Sequence, residues 1–374
     1  MIIKFSKPDI LKTDLIKINK TISSGWLTHG KNTLEFESKF SRFTKSKYAV
    51  TVSSCTSGLH LSYLALGIGP GDEVILPSMS HTATSHAIEY VGAKPVFADI
   101  DYDTGNISPK KITNKITKKT KAICIVHMAG ISCNIKEINK IAKENKLQII
   151  EDCAHALGTT YNHKHVGNFG VSGCFSFYPT KQITTGEGGM IISNNLQFIK
   201  KIRYLKAFGI DTDPKFRKIP GKYDVKHLGF NYRMTDFQAL MGLLQLNRYN
   251  KNLKKRKENA KLYSNLFSKN KHIYLNKYSN ENSYFIFQIF LKNLKVRNKI
   301  LQSLKKINIG VSVHYYNSIP KFTYYKKKYS LKMVNFPSST QYADTSISLP
   351  CYPSLKKLEI YYICKIINKM VSEA

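Results

Sequence analysis

The sequence predicts a three-layer α/β domain with a mostly parallel sheet over residues 1–245, followed by a smaller α+β domain over residues 246–374. Two observations carry that expectation. From residue 45 to 195 short apolar segments alternate with helix-like ones, as βα repeats do. Several of those segments are near-continuous apolar runs, the pattern of strands covered on both faces.

In chain order, the strands fall at 48–52, 73–76, 94–98, 121–127, 148–150, 173–177 and 189–193. Helices at 57–67, 85–91 and 135–145 lie between them, and residues 234–265 read as helix. Beyond Asn280 the pattern becomes mixed. There ENSYFIFQIFL and VSVHYY predict strands of the smaller domain.

Bulk properties narrow the class. A chain of 374 residues can bury a full core and form more than one domain. Its 42 % of hydrophobic residues argues against overall disorder. No apolar run approaches the roughly 18 residues of a membrane span. The opening MIIKFSKPDILKTDLIK scatters charges where a signal peptide needs an apolar block, so a cytoplasmic protein without stable membrane insertion is expected. Cys55, Cys124, Cys133, Cys153, Cys174, Cys351 and Cys364 form no CxxC pair, which predicts reduced thiols and no metal centre.

The 58 Lys+Arg against 24 Asp+Glu, a net charge of +34, raise nucleic-acid binding. The excess is mostly lysine, accompanied by many Asn and Ile, as a compositional bias on solvated faces would produce. Its densest patch, Lys254 to Lys257, has no interleaved aromatics for base stacking. An anionic small substrate or a membrane-surface location suits the charge equally, and no nucleic-acid partner is expected.

Three motifs stand just beyond strand carboxyl ends, where ligands gather in open α/β sheets. VSSCTSGLHLS joins a strand to a helix through small residues, a turn able to receive a phosphate. LQIIEDCAHALG places Asp152 directly after an apolar strand, where a carboxylate needs a partner or serves as an N-cap. SFYPTKQITTGEGG sets Lys181 between a strand and Gly186, Gly188 and Gly189. A partly desolvated lysine there forms Schiff bases, whereas a surface lysine would be inert. Phosphate cradle, acid and lysine together match the phosphate, ring nitrogen and aldehyde of pyridoxal phosphate.

SFYPTK with ITTGEGG, EDCAHALG and GFNYRMTDFQA resemble the DegT/StrS-type nucleotide-sugar aminotransferases, of the aspartate-aminotransferase fold (fold type I). SSGWLTHGKNTLEFESKF, LGIGPGDEVILPSMSHTATSHAIEYVGAKPVFADID, KTKAICIVHMAGISCNIKEI, VSVHYYNSIP and ISLPCYPSL extend the likeness nearly end to end. The resemblance implies that Lys181 holds the cofactor as a Schiff base and shuttles the proton, while Asp152 pairs with the pyridinium nitrogen. Thr56 and Ser57 match its phosphate-binding turn and Ser176 a supplementary hydroxyl. Asn231 matches a phosphate contact donated across the interface of a homodimer, with Arg233 close by in the same motif.

Of the remaining positions, His155 matches a Gln, Glu or His beside the cofactor's phenolic oxygen, although a core or capping histidine is the alternative. His81 stands where the family carries a stacking aromatic, and Cys55 where it carries glycine. His314 and Tyr315 could approach the sugar or pack the small domain; His29 and His127 are pocket-edge candidates.

The activity so implied is a two-step transamination. An amino group passes from L-glutamate, which leaves as 2-oxoglutarate, through pyridoxamine phosphate to a keto carbon of a nucleotide-linked sugar. SSCT, HMAG and SFYPTK lean toward C4, and the resemblance implies an amino sugar of lipopolysaccharide or another surface polysaccharide or glycan. Relatives that act as dehydratases replace the lysine with histidine, so Lys181 disfavours that activity. A basic nucleic-acid-binding regulator is the alternative from another class.

Overall fold

The computed structural model describes residues 2–210 and 219–373. A loop at 206–225, expected from the sequence to bear on specificity, lies partly outside the described residues.

Helices α1 (Lys12–Ser23) and α2 (Lys31–Thr44) precede the strand β1 (Tyr48–Val52). Alternation follows through α3 (Cys55–Ala65), β2 (Glu73–Pro77), α4 (Thr82–Tyr90), β3 (Lys94–Ala98), α5 (Pro109–Thr113), β4 (Thr120–Val126), α6 (Ile135–Glu144) and β5 (Gln148–Asp152). A ribbon of β6 (Thr160–Tyr161) and β7 (Lys164–His165) leads to β8 (Ser172–Ser176), β9 (Gly189–Ser193) and α7 (Leu196–Leu205). The chain continues with α8 (Asp236–Asn247), α9 (Tyr249–Phe267), β10 (Tyr274–Leu275), β11 (Phe287–Phe290) and α10 (Leu294–Lys306). It ends with α11 (Thr323–Lys328), α12 (Pro337–Thr345), β12 (Ser346–Leu349) and α13 (Lys357–Ser372).

Seven strands form the large sheet in the order β1-β9-β8-β5-β4-β2-β3. Only β9 runs against the other six. The carboxyl ends of β1, β2, β5 and β8 therefore share one edge, and the predicted site motifs follow those ends. The two faces of the sheet bury different side chains, as a strand period of two requires. Val74 and Leu76 join a core with Leu59, Leu61, Ile88 and Ile199, whereas Ile75 joins Ile123, Ile125, Ile138 and Ile149. Helices thus cover both faces, which explains the unbroken apolar strands.

β10, β11 and β12 form a separate antiparallel sheet. Its core combines Tyr263, Phe267, Ile289, Ile300, Ile347, Ile363 and Ile367 with Ile3 from the start of the chain. Ile3 is anchored by its N–H to Asn308 O at 3.0 Å. No helix among the described residues is long and apolar enough to cross a membrane.

Two sequence expectations need correction here. The helix expected over 234–265 is two helices, α8 and α9, meeting at Arg248. The Arg248 backbone leaves the helical path at φ −109° and ψ 6°, and its side chain binds Asp9 through Nε at 2.7 Å and Asp14 through Nη2 at 2.6 Å. VSVHYY forms no strand: Ser312 makes one bridge to Ser348, and then His314 and Tyr315 both face a single cavity. Successive strand residues would face opposite ways.

Candidate active site

A cavity of about 380 Å³ opens at the carboxyl edge of the large sheet. Its walls include Thr56, His81, Asp152, His155, Ser176, Lys181, His314 and Tyr315. The sequence motifs thus meet in space although they lie more than two hundred residues apart.

One wall is the first turn of α3. Ser54 is its N-cap, accepting the Ser57 N–H at 3.0 Å. Cys55 and Thr56 occupy the first two helical positions, so their N–H groups have no intrahelical acceptor and carry the positive end of the helix dipole. Ser57, expected in a phosphate contact, lies outside the cavity lining. Its hydroxyl donates to Ser54 O at 2.7 Å and accepts the Ser54 N–H at 3.0 Å, closing a capping box. Gly189 lets β9 lie against this turn: a Cβ there would stand 2.5 Å from the Ser54 carbonyl carbon.

Asp152 ends β5 and is 5 % exposed. Its Oδ1 accepts the Ala154 N–H at 3.0 Å and its Oδ2 the Thr84 hydroxyl at 2.9 Å. The preceding residue, Glu151, points to the other side of the strand. It accepts N–H groups from Gly167, Phe169 and Gly170, each at 2.6 Å, and pairs with His127 Nε2 at 3.0 Å. Burial pushes the Glu151 carboxyl up, but the His127 contact and the backbone donors outweigh it and hold the group below its usual range. His127, expected at the pocket edge, is instead fully buried in this pair. His29 is likewise outside the cavity lining; its carbonyl accepts the Trp26 indole N–H at 3.2 Å.

Lys181 sits in a loop returning from β8 to β9. Lys181 N–H donates to Tyr178 O and Thr185 N–H to Phe177 O, both at 2.9 Å. Buried Gln245 of α8 grips the far end, accepting the Thr184 N–H at 3.1 Å and donating to its carbonyl at 2.6 Å. Gly186, with φ +77°, makes the turn that lets the loop rejoin β9. The Lys181 ammonium lies 4.6 Å from the centroid of the Phe285 ring. Enclosure lowers its pKa from 10.5 to about 8, against the opposing pull of the Asp152 carboxylate.

Three histidines complete the lining. His81 caps α4 by accepting the Ala83 N–H on Nδ1 at 3.1 Å. His155 packs on Phe285 with centroids 4.4 Å apart and accepts the Ala129 N–H on Nδ1 at 3.4 Å. A neutral imidazole accepting on Nδ1 carries its proton on Nε2. His155 Nε2 lies 3.1 Å from Tyr315 Oη, so the tyrosine oxygen accepts the Nε2–H hydrogen bond and keeps its own proton free to donate. His314 Nδ1 lies 3.0 Å from Ser348 Oγ. Burial first, and then the Lys181 charge, hold all three below the ordinary histidine value, His314 at about 3.

Asn231 and Arg233 are not in this cavity. Asn231 is exposed and accepts the Arg233 Nε–H at 3.1 Å, and Arg233 lies over the Phe208 ring. Sequence reasoning overlooked Thr84, Gln245 and Phe285, which reach the site by tertiary packing. It also overlooked Ser80, Tyr178 and Glu187, further lining residues. Tyr178 and Glu187 lie inside the quoted lysine motif, which was their available signal. All seven cysteines are buried and free of disulfides.

Similarity to known proteins agrees with this geometry. Spore coat polysaccharide biosynthesis protein SpsC of Bacillus subtilis is 35 % identical over 99 % of this chain and 97 % of its own. GDP-perosamine synthase of Escherichia coli O157:H7 is 35 % identical over 98 % of each chain. The putative sugar aminotransferase Spr1654 of Streptococcus pneumoniae, solved in a PMP form, superposes with a TM-score of 0.94 at 31 % identity, covering 100 % of this chain and 98 % of that one. Its PLP form gives a TM-score of 0.93. With the DegT/DnrJ/EryC1/StrS aminotransferase family profile matching residues 8–368, the chain belongs to that family and is an aminotransferase of fold type I.

Proposed function

We propose that this chain transfers an amino group from L-glutamate to a keto carbon, C4, of a nucleotide-linked sugar, with pyridoxal phosphate as cofactor, for amino-sugar synthesis in a polysaccharide. One observation carries the reading: an amine, a carboxylate and an open helix N-terminus line a single cavity. Their chemistry fits the cofactor. The α3 turn with Thr56 and Ser176 suits a phosphate, Asp152 a protonated ring nitrogen, and Lys181 an aldehyde. When bound, pyridoxal phosphate supplies a carbonyl that exchanges with amines and a ring that takes up the electron pair left at the substrate carbon.

The chain's own groups do the rest. Lys181 would hold the cofactor through its aldehyde and, as a free amine, would carry a proton at the reacting carbon. Its lowered pKa suits both tasks, because a substantial share of the amine is neutral near pH 8. Asp152 would pair with a protonated ring nitrogen and so sustain the ring's electron demand. His81 is pinned through Nδ1 at the cavity wall, available to pack on a ring. Exposed Asn231 suits a phosphate contact in a second copy's cavity, so the active unit is a homodimer. Similarity to a GDP-perosamine synthase supports a nucleotide-linked substrate, and SSCT, HMAG and SFYPTK support C4.

The test is mass spectrometry of 4-keto and 3-keto nucleotide sugars incubated with the cofactor-loaded protein and glutamate. An amino sugar with matching 2-oxoglutarate is expected from a 4-keto substrate and none from Lys181→Ala. Failure across the panel, or loss of a hydroxyl without amine transfer, would overturn the reading.

A further inference from the structure

Among the described residues, Asp152 is met by neutral donors and forms no ion pair. Oδ1 accepts the Ala154 N–H at 3.0 Å and lies 3.9 Å from the Cys55 thiol. Oδ2 accepts the Thr84 hydroxyl at 2.9 Å. A carboxylate offers about four lone-pair directions. The thiol has a nearer acceptor in Cys174 O at 3.4 Å, so two directions are taken, one on each oxygen, and each oxygen keeps one open.

Thr84 lies in the first turn of α4 and is fully buried. Its Oγ1 is also 2.7 Å from Ser80 Oγ. An ionised carboxylate can only accept, so the Thr84 proton is committed to Asp152 and the Thr84 oxygen must accept from Ser80. The chain of donation runs one way, from Ser80 through Thr84 to Asp152. Thr84 is itself held by its N–H to His81 O at 3.1 Å, on a helix whose capping residue lines the same cavity. An additional donor to a buried carboxylate is stronger when its own oxygen accepts a hydrogen bond.

We propose that Thr84, oriented by Ser80, is a positioning residue for transamination: it fixes the Asp152 carboxylate plane so that the open acceptor directions would face the protonated ring nitrogen of a bound cofactor. This rests on the function proposed above. Valine has nearly the same shape and lacks the hydroxyl, removing both the donor to Asp152 and the acceptor for Ser80, whereas serine keeps both.

The experiment compares Thr84→Val, Thr84→Ser and Ser80→Ala with the wild-type protein, each loaded with pyridoxal phosphate labelled with ¹⁵N in the ring. A hydrogen bond to a charged group contributes about 1.5–3 kcal/mol, so Thr84→Val should lower kcat by about 10- to 100-fold. KM for the nucleotide sugar should stay within about threefold, since Thr84 touches no substrate atom. Thr84→Ser should restore kcat to within about threefold, and Ser80→Ala should lose a smaller factor. The ring ¹⁵N shift should report a protonated nitrogen in wild type and Thr84→Ser and movement towards the neutral form in Thr84→Val. The borohydride-fixed adduct on Lys181 should persist in all four proteins. Unchanged kcat and ¹⁵N shift in Thr84→Val, or equal impairment of Thr84→Ser, would overturn the proposal. If Thr84→Val cannot be loaded, unchanged kcat and ¹⁵N shift in Ser80→Ala would do the same. A wild-type protein that transfers no amine would instead refute the underlying function.

Discussion

Lys181 should react with an added aldehyde on a pH curve that no surface lysine can reproduce. Only the neutral amine attacks a carbonyl, and burial lowers the Lys181 pKa to about 8. The neutral fraction is then about 9 % at pH 7, about 50 % at pH 8 and about 91 % at pH 9. The initial rate of adduct formation in cofactor-free protein should rise about tenfold from pH 7 to 9 and level off above it. An ordinary lysine near 10.5 would climb about a hundredfold over that interval and continue upward. The assay mixes cofactor-free protein with pyridoxal phosphate, quenches with borohydride at timed intervals, and quantifies the modified Lys181 peptide. A hundredfold rise without a plateau would refute the claim that enclosure activates this amine. The sign on stability is linked: the folded value lies below the unfolded one, so the contribution of Lys181 to stability grows as pH rises from about 8 towards 10.5.

Three other substitutions probe separate parts of the site. Asp152→Asn should keep the cofactor bound and lower turnover by about 100- to 1,000-fold, and near-normal turnover would remove the electron-sink role. Gln245→Leu leaves the Thr184 N–H and carbonyl without partners; at about 1–3 kcal/mol for each buried group, urea unfolding should show a loss of about 2–6 kcal/mol. A loss under about 0.5 kcal/mol would mean that the lysine loop does not depend on that grip. Tyr315→Phe deprives His155 Nε2 of its acceptor and the cavity of a hydroxyl, so kcat should fall about tenfold with only a small change in melting temperature. Unchanged kcat would show that the tyrosine proton meets nothing that matters to the reaction.

The parallel strands were legible because burial on both faces leaves a compact apolar run. Strands 48–52, 94–98 and 189–193 carry the bounds read from the sequence. Strand β5 runs two residues past its expected end because Glu151 continues it with its carboxylate buried on His127 and backbone N–H groups. A charged pair closes a strand in any reading by hydrophobicity alone. The segment 311–316 failed for the opposite reason, since its alternating residues look like a strand while its end curls to face the cavity. Lys181, Asp152 and the turn holding Thr56 could be placed because strand ends expose consecutive motifs along one edge, whereas His81, His155 and Ser176 came from the family resemblance. Thr84 and Gln245 could not: their hydroxyl and amide become informative only once α4 and α8 are packed against the loops they hold.

The net charge of +34 is a poor guide to this chemistry, and the reason is desolvation. Lys254, Lys255 and Lys326 to Lys328 lie on solvated helix faces, where water and salt screen them. Among the described residues lining the cavity, Lys181 is the one lysine or arginine, accompanied by Asp152 and Glu187. The three histidines there are held below their ordinary pKa and add no charge near neutrality. A fixed phosphate in this cavity must therefore be met by uncharged donors, chiefly the N–H groups of Cys55 and Thr56. Any cation for a sugar diphosphate must come from beyond the present lining. That division suits an enzyme whose only reactive amine must shed its proton: further buried cations would push the Lys181 pKa lower still, while further acids would raise it and quench the nucleophile.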